Sequence, residues 1–364
     1  MSMRNVLDYV ELYGDILFEE IPFSDVDNLI LCEIPYLDFR EVISQEQKIM
    51  TLEEVGKNYF EKYPYKEKKR GILPIDRAIK LFHSLYSKKR FSKIRVSDYV
   101  YEVKKDMQFG ALTYRLSDGT MYIAYMGTDD SLIGWEEDCF MMYQFPIPSQ
   151  KKAIEYIDQV VRFTDRHIRL GGHSKGGNLA MTAAMFAKKS IQKRIQVIYN
   201  NDGPGFREEQ VHTKEYEWMT TKLKMFVPEE SVVGMLMFHH TEYQVVRSTE
   251  KKILQHDGVT WECFGTRFVP GQLTSRSQQT DHMISNWIQE YDDQQRKKLV
   301  ATFFQILKKS GISTKSELDN LKITGVIKII KELKQTNAED KRFLIQAFRT
   351  LLSKKNLQSN LVKE

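Results

Sequence analysis

The chain has 364 residues, long enough for one large α/β domain with an appendage, or for two domains. Its 41% hydrophobic and 28% charged residues exclude a fibrous or disordered chain, and no apolar run reaches the ~18 residues of a membrane-spanning helix. The net charge of +5 is uneven: from Ile284 onward there are 16 basic and 9 acidic residues, leaving the rest slightly acidic.

Residues 1 to about 105 read as mostly helical. Acidic Asp8 stands where a secretion signal would have its apolar core, so no signal peptide is expected. Asp25 to Leu31 has the composition of a capped helix start, Lys62 to Arg70 that of a charged loop, and Ile75 to Tyr86 that of a second helix. Cys32, Cys139 and Cys263 are odd in number and far apart. They suit neither a disulfide framework nor a metal site, and point to a reducing cytoplasm.

The pattern then changes. Gly110–Leu116 and Thr120–Met126 flank Ser117-Asp118-Gly119, a hairpin signal. Ser149 to Phe163 has a helical apolar face. Arg166 to Leu170 reads as a strand, Leu179 to Lys188 as a helix, and Arg194–Asn200, Lys222–Val227 and Tyr243–Ser248 as further strands. Alternating strands and helices predict an α/β fold with a mostly parallel sheet covered by helices. From about Ser275 the chain is helical again, with a helix start at Asn337–Asp340. The expected division is residues 1–275, with their helical N-terminal part, and a helical extension over 276–364.

Between the strand at 166–170 and its helix lies Gly172-His173-Ser174-Lys175-Gly176, which fits a serine nucleophile on a strained strand-to-helix turn. Gly172 and Gly176 flank Ser174 where side chains would not fit. A serine hydroxyl needs a base, and the base an orienting acid. His256, in the turn-like Gln255-His256-Asp257-Gly258, is the candidate base. His239 and His240 read as helix surface or lid, and His173 as a packing or hydrogen-bonding residue. For the acid, Asp202 ends the strand after the elbow helix and precedes Gly203-Pro204-Gly205; Glu229 and Glu230 are its rivals. Thr128, in Met126-Gly127-Thr128-Asp129, and the backbone N–H of Lys175 are the candidate oxyanion donors.

Several stretches occur in a telling order. They are Val26–Leu31 with Pro35–Phe39, Ala124–Asp130 with Gly134–Asp138, Gly172–Asn178, Asn201–Phe206, Val227-Pro228 with Ser231–Gly234, and Gln255-His256-Asp257 with Trp261. Over roughly residues 5 to 270 the chain resembles the lipase-like α/β hydrolases, and most closely the Mbeg1-like family related to class 3 lipases. The resemblance implies an α/β-hydrolase fold, Ser174 as nucleophile, His256 as base and Thr128 at the oxyanion hole. It departs at the acid: where class 3 lipases place an aspartate, this chain has Ser231, which favours Asp202.

The expected chemistry is cleavage of a carboxylic ester through an acyl-enzyme. Thioester cleavage and acyl transfer use the same groups, and a hydrolase-fold protein that only binds is the rival class. No metal or organic cofactor is required. The expected partner is a small-molecule or lipid ester, with no nucleic acid and with peripheral contact between the basic C-terminal helices and an anionic surface. The run Val232–Phe238 reads as buried core, with a lid as the alternative.

Overall fold

The computed structural model describes residues 5–43, 49–66 and 74–361, with Pro74 and residues 352–361 by backbone alone. The chain divides into two compact units: 1–102, 109–127 and 149–274 form the first, and 103–108, 128–148 and 275–364 the second.

The sequence places β-branched and aromatic residues at successive strands, and eight of them join one sheet. These are β1 (Ile49–Thr51), β2 (Arg95–Lys104), β3 (Met107–Arg115), β4 (Met121–Tyr125), β5 (Ile168–His173), β6 (Ile195–Asn201), β7 (Leu223–Pro228) and β8 (Gln244–Val246), in that spatial order. β3 and β4 are antiparallel, whereas β4 through β8 run parallel to their neighbours. Between β3 and β4, Gly119 takes φ +80° and the Asp118 carboxylate accepts from Thr120 N at 2.9 Å, the turn chemistry that the Asp-Gly pair announces.

Successive parallel strands in chain order, joined by right-handed crossovers, carry their helices on one face. Tyr125 of β4 donates to the Ala153 carbonyl in the crossover helix Pro148–Val160, at 3.2 Å. Tyr122, of opposite pleat parity, instead donates to Asn28 Oδ1 at 2.6 Å, in the helix Asp25–Glu33. Helices therefore cover both faces of an α/β-hydrolase sheet. Beneath the N-terminal helices, Arg90 and Asp27 form a fully buried ion pair at 2.7 Å, and Arg90 also donates to the Ile16, Ile21 and Pro22 carbonyls. Buried charge persists only with partners of this kind.

The N-terminal third is less helical than its composition suggests. β2 was not expected, because it lacks a period-two pattern: its residues from Asp98 on are half-buried or exposed, and Asp98 takes φ +57°. The loop expected at Lys62–Arg70 begins after a helix that runs to Lys62, and its residues 67–70 lie outside the described residues. The run Val232–Phe238 is not a buried helix. It is a half-buried loop with one 3-10 turn, a positive φ at Met237 and a bridge from Phe238 to Phe206.

The second unit is helical. Helix Leu132–Phe140 shares a core of Leu132, Val300, Phe304, Leu307 and Ile312 with helix Asp293–Lys309 and its C-terminal turn. Leu299, Ile306, Leu344 and Ala347 form a second cluster, where Trp287 donates its indole N–H to the Ala347 carbonyl at 2.8 Å. Among the described residues, no helix is long and apolar enough to cross a membrane.

Candidate active site

β5 ends at His173, and the helix Lys175–Phe186 begins one residue after Ser174. Ser174 bridges the two at φ 57°, ψ −135°, a conformation that a side chain adopts only when its surroundings impose it. The flanking glycines are dictated by contact. A Cβ on Gly172 would lie 2.1 Å from the Gly176 carbonyl, and one on Gly176 would lie 2.1 Å from the Tyr125 carbonyl. The Ser174 amide donates to the Asn201 carbonyl at 3.0 Å, which ties the turn to the end of β6. Ser174 is half-buried.

Asp202 follows directly from β6 and is itself at positive φ, 53°, with its carboxylate fully buried. Its Oδ2 lies 2.6 Å from His256 Nδ1. Its Oδ1 accepts from Ser231 Oγ at 2.5 Å and from the Gly234 amide at 3.1 Å. A Cβ on Gly234 would come within 2.2 Å of that oxygen, so only glycine allows the amide this close. Ser231 thus donates to a carboxylate arriving from the preceding strand. Glu229 and Glu230 lie elsewhere: Glu230 Oε1 accepts from the Lys252 amide at 3.1 Å, and the Glu229 side chain abuts Gly271.

His256 ends the 3-10 helix Lys252–His256 and is pinned on both flanks. Trp261 donates its indole N–H to the Gln255 carbonyl at 2.8 Å, and Gln255 Oε1 accepts from the Glu230 amide at 2.8 Å. Asp257 pairs with Arg77 at 2.9 Å. The His256 side chain between them keeps 24% of its surface exposed. With Nδ1 facing a carboxylate that can only accept, the proton sits on Nδ1 and the Nε2 lone pair remains for chemistry.

Lys175 opens the elbow helix, at the end where N–H groups point outward along the axis. Gly127 abuts the elbow: a Cβ there would lie 2.6 Å from the His173 carbonyl and 3.1 Å from Ser174 Cβ. Thr128 is the next residue. Its hydroxyl donates to Asp138 Oδ2 at 2.6 Å, so the side chain is committed and the backbone N–H is the group left to consider.

Sequence reasoning missed the shell behind His256. His173 Nε2 lies 2.6 Å from the His256 carbonyl, which only accepts, so Nε2 carries the proton. Nδ1 then faces Tyr36 Oη at 3.3 Å. Glu33 Oε1 lies at 3.3 Å, without the alignment of a hydrogen bond. No spacing rule connects positions 33, 36, 173 and 256. His239 is not on a helix surface: its Nε2 is buried against Gly205, whereas His240 is exposed.

Burial, with His256 close by, lowers the His173 pKa to about 3, and burial lowers that of His239 to about 4. The unfolded chain takes up these protons near pH ~6.5. Between that pH and 3–4 the unfolded state binds more protons, so stability contributed by these groups is lost as pH falls below ~6.5. Glu33 opposes this, because burial raises its pKa well above the ordinary carboxyl value. The comparison with His173→Asn isolates the histidine: the variant's melting temperature should fall less between pH 7 and 4.5 than the wild type's. Parallel curves would mean that His173 takes up its proton at the same pH folded as unfolded.

Residues 85–305, more than half of the chain, match the Mbeg1-like family, and the chain belongs to it. Among solved structures it is similar to M37 lipase, at 14% identity and a TM-score of 0.30, over 43% of this chain. The overlap spans 60% of the M37 lipase chain, and a likeness this slight carries no argument about activity. No curated protein matches the chain.

Proposed function

We propose that the protein is a serine hydrolase that cleaves carboxylic esters, as lipases and esterases do. The observation that supports this reading is the 2.6 Å contact between Asp202 Oδ2 and His256 Nδ1, on the 3-10 helix held against the strained Ser174 elbow. Ser174 Oγ attacks the acyl carbonyl carbon while His256 Nε2 takes the hydroxyl proton. The charge left on the imidazolium faces Asp202 through Nδ1–H. The carbonyl oxygen, now an oxyanion, is held by the backbone N–H of Lys175 at the start of the elbow helix. Collapse expels the alcohol, which receives its proton from His256. Water then attacks the acyl-enzyme, with His256 as base again, and releases the acid.

The test is fluorophosphonate labelling of the purified protein, wild type beside Ser174→Ala, with the adduct mapped by mass spectrometry. Labelling at Ser174 alone, absent from the variant, is expected. A folded wild-type protein that takes no label would replace this reading with that of a hydrolase-fold protein that binds without turnover.

A further inference from the structure

Helix Ile323–Gln335, in the second unit, carries an apolar face wider than its packing covers. Its inner face is occupied: Ile329 packs against the cluster of Leu132, Val300 and Phe304, and Leu333 against that of Leu299 and Leu344. Its other apolar residues face outward. Ile323 is 80% exposed, Val326 43%, Ile327 60% and Ile330 46%. The spacing of i, i+3, i+4 and i+7 places all four on one stripe. Scattered exposed aliphatics are ordinary, but a contiguous stripe of four on one helix marks a contact surface.

The charges around the stripe choose the occupant. Lys322, Lys328, Lys331 and Lys334 are all exposed on this helix, and none has an ion-pair partner among the described residues. The helix has a single carboxylate, Glu332, which is half-buried away from the stripe. An apolar stripe accompanied on its own helix by exposed ammonium groups suits a surface that offers both acyl chains and negative headgroups. A second copy of the same stripe would bring lysine against lysine. We propose that the Ile323–Gln335 helix lies on anionic membrane surfaces, with Ile323, Val326, Ile327 and Ile330 inserted at the headgroup boundary and the lysines facing the headgroups.

The experiment is co-sedimentation of the full chain with phosphatidylcholine vesicles, with and without phosphatidylserine. Two variants accompany it: Ile327→Asp with Ile330→Asp, and Lys328→Glu with Lys331→Glu and Lys334→Glu. All five residues are exposed, so melting temperatures should stay at the wild-type value. Wild type is expected to sediment only with the phosphatidylserine vesicles and to be released by high salt. Each variant should bind at least about tenfold more weakly. Ser174→Ala should bind as wild type does, which separates this proposal from the catalytic one. Three results would overturn it: no binding by wild type, equal binding by both variants, or self-association in light scattering that Ile327→Asp with Ile330→Asp abolishes while vesicles are ignored.

Discussion

Asp202→Asn is expected to lower kcat on a simple acyl ester by about 10³–10⁴-fold, with KM little changed. The carboxamide can keep Oδ1 as acceptor for Ser231 and the Gly234 amide, so the buried site stays occupied. What changes is the atom facing His256. An amide NH₂ at that position donates to Nδ1, which drives the imidazole proton onto Nε2. The lone pair that should receive the Ser174 proton is then gone. Glu229→Gln and Glu230→Gln should leave the rate within about twofold, since Glu230 Oε1 is taken by the Lys252 amide and Glu229 lies against Gly271. The same ranking should appear in the rate of fluorophosphonate labelling, which reads the nucleophile without needing a known substrate. A fully active Asp202→Asn beside an inactive Glu229→Gln or Glu230→Gln would move the acid to β7.

Gly176→Ala should be strongly destabilising. The added carbon would sit 2.1 Å from the Tyr125 carbonyl oxygen and 3.0 Å from the Gly127 amide, both of them backbone. No rotamer change relieves a clash with backbone. Either the end of β4 or the first turn of the elbow helix must move, and both are hydrogen-bonded into the sheet and its cover. A loss of about 3 kcal/mol or more is expected, which for a unit of this size lowers the melting temperature by roughly 10 °C. Labelling at Ser174 should fall with it, because the residue's φ is set by the same contacts. Gly119→Ala is the control: it has φ +80° but open space around it, so it should cost only the strain of the turn, about 1 kcal/mol. A Gly176→Ala protein that melts and labels like wild type would mean that the elbow is looser than its contacts imply.

Much of the first unit was legible because its signals are local. The Asp118-Gly119 turn, the apolar spacing of the helix at 148–160 and the Gly172–Gly176 elbow each depend on residues within one turn of each other. A short-range steric rule suffices for them. β2 was not legible, because a strand without alternating burial is recognised only by the neighbour it pairs with. The loop at Val232–Phe238 failed for a related reason. Its apolar residues suggested core, yet its path follows from a bridge to Phe206 and from the Gly234 amide reaching Asp202.

The site divides in the same way. The elbow is written in its local residues, since two glycines around a serine between a strand and a helix describe a steric necessity. The sequence also placed His256 past the last strand of the sheet, where it ends a short 3-10 helix. Tertiary structure alone decided which carboxylate faces that histidine. Asp202 and Ser231 lie 29 residues apart in the chain, and only the parallel pairing of β6 with β7 brings the hydroxyl within 2.5 Å of the carboxylate. It alone decided that His173 grips the His256 carbonyl across 83 residues. Hydrogen bonds between side chains distant in sequence leave no periodicity and no composition signal. They exist only once the sheet has set the ends of its strands side by side.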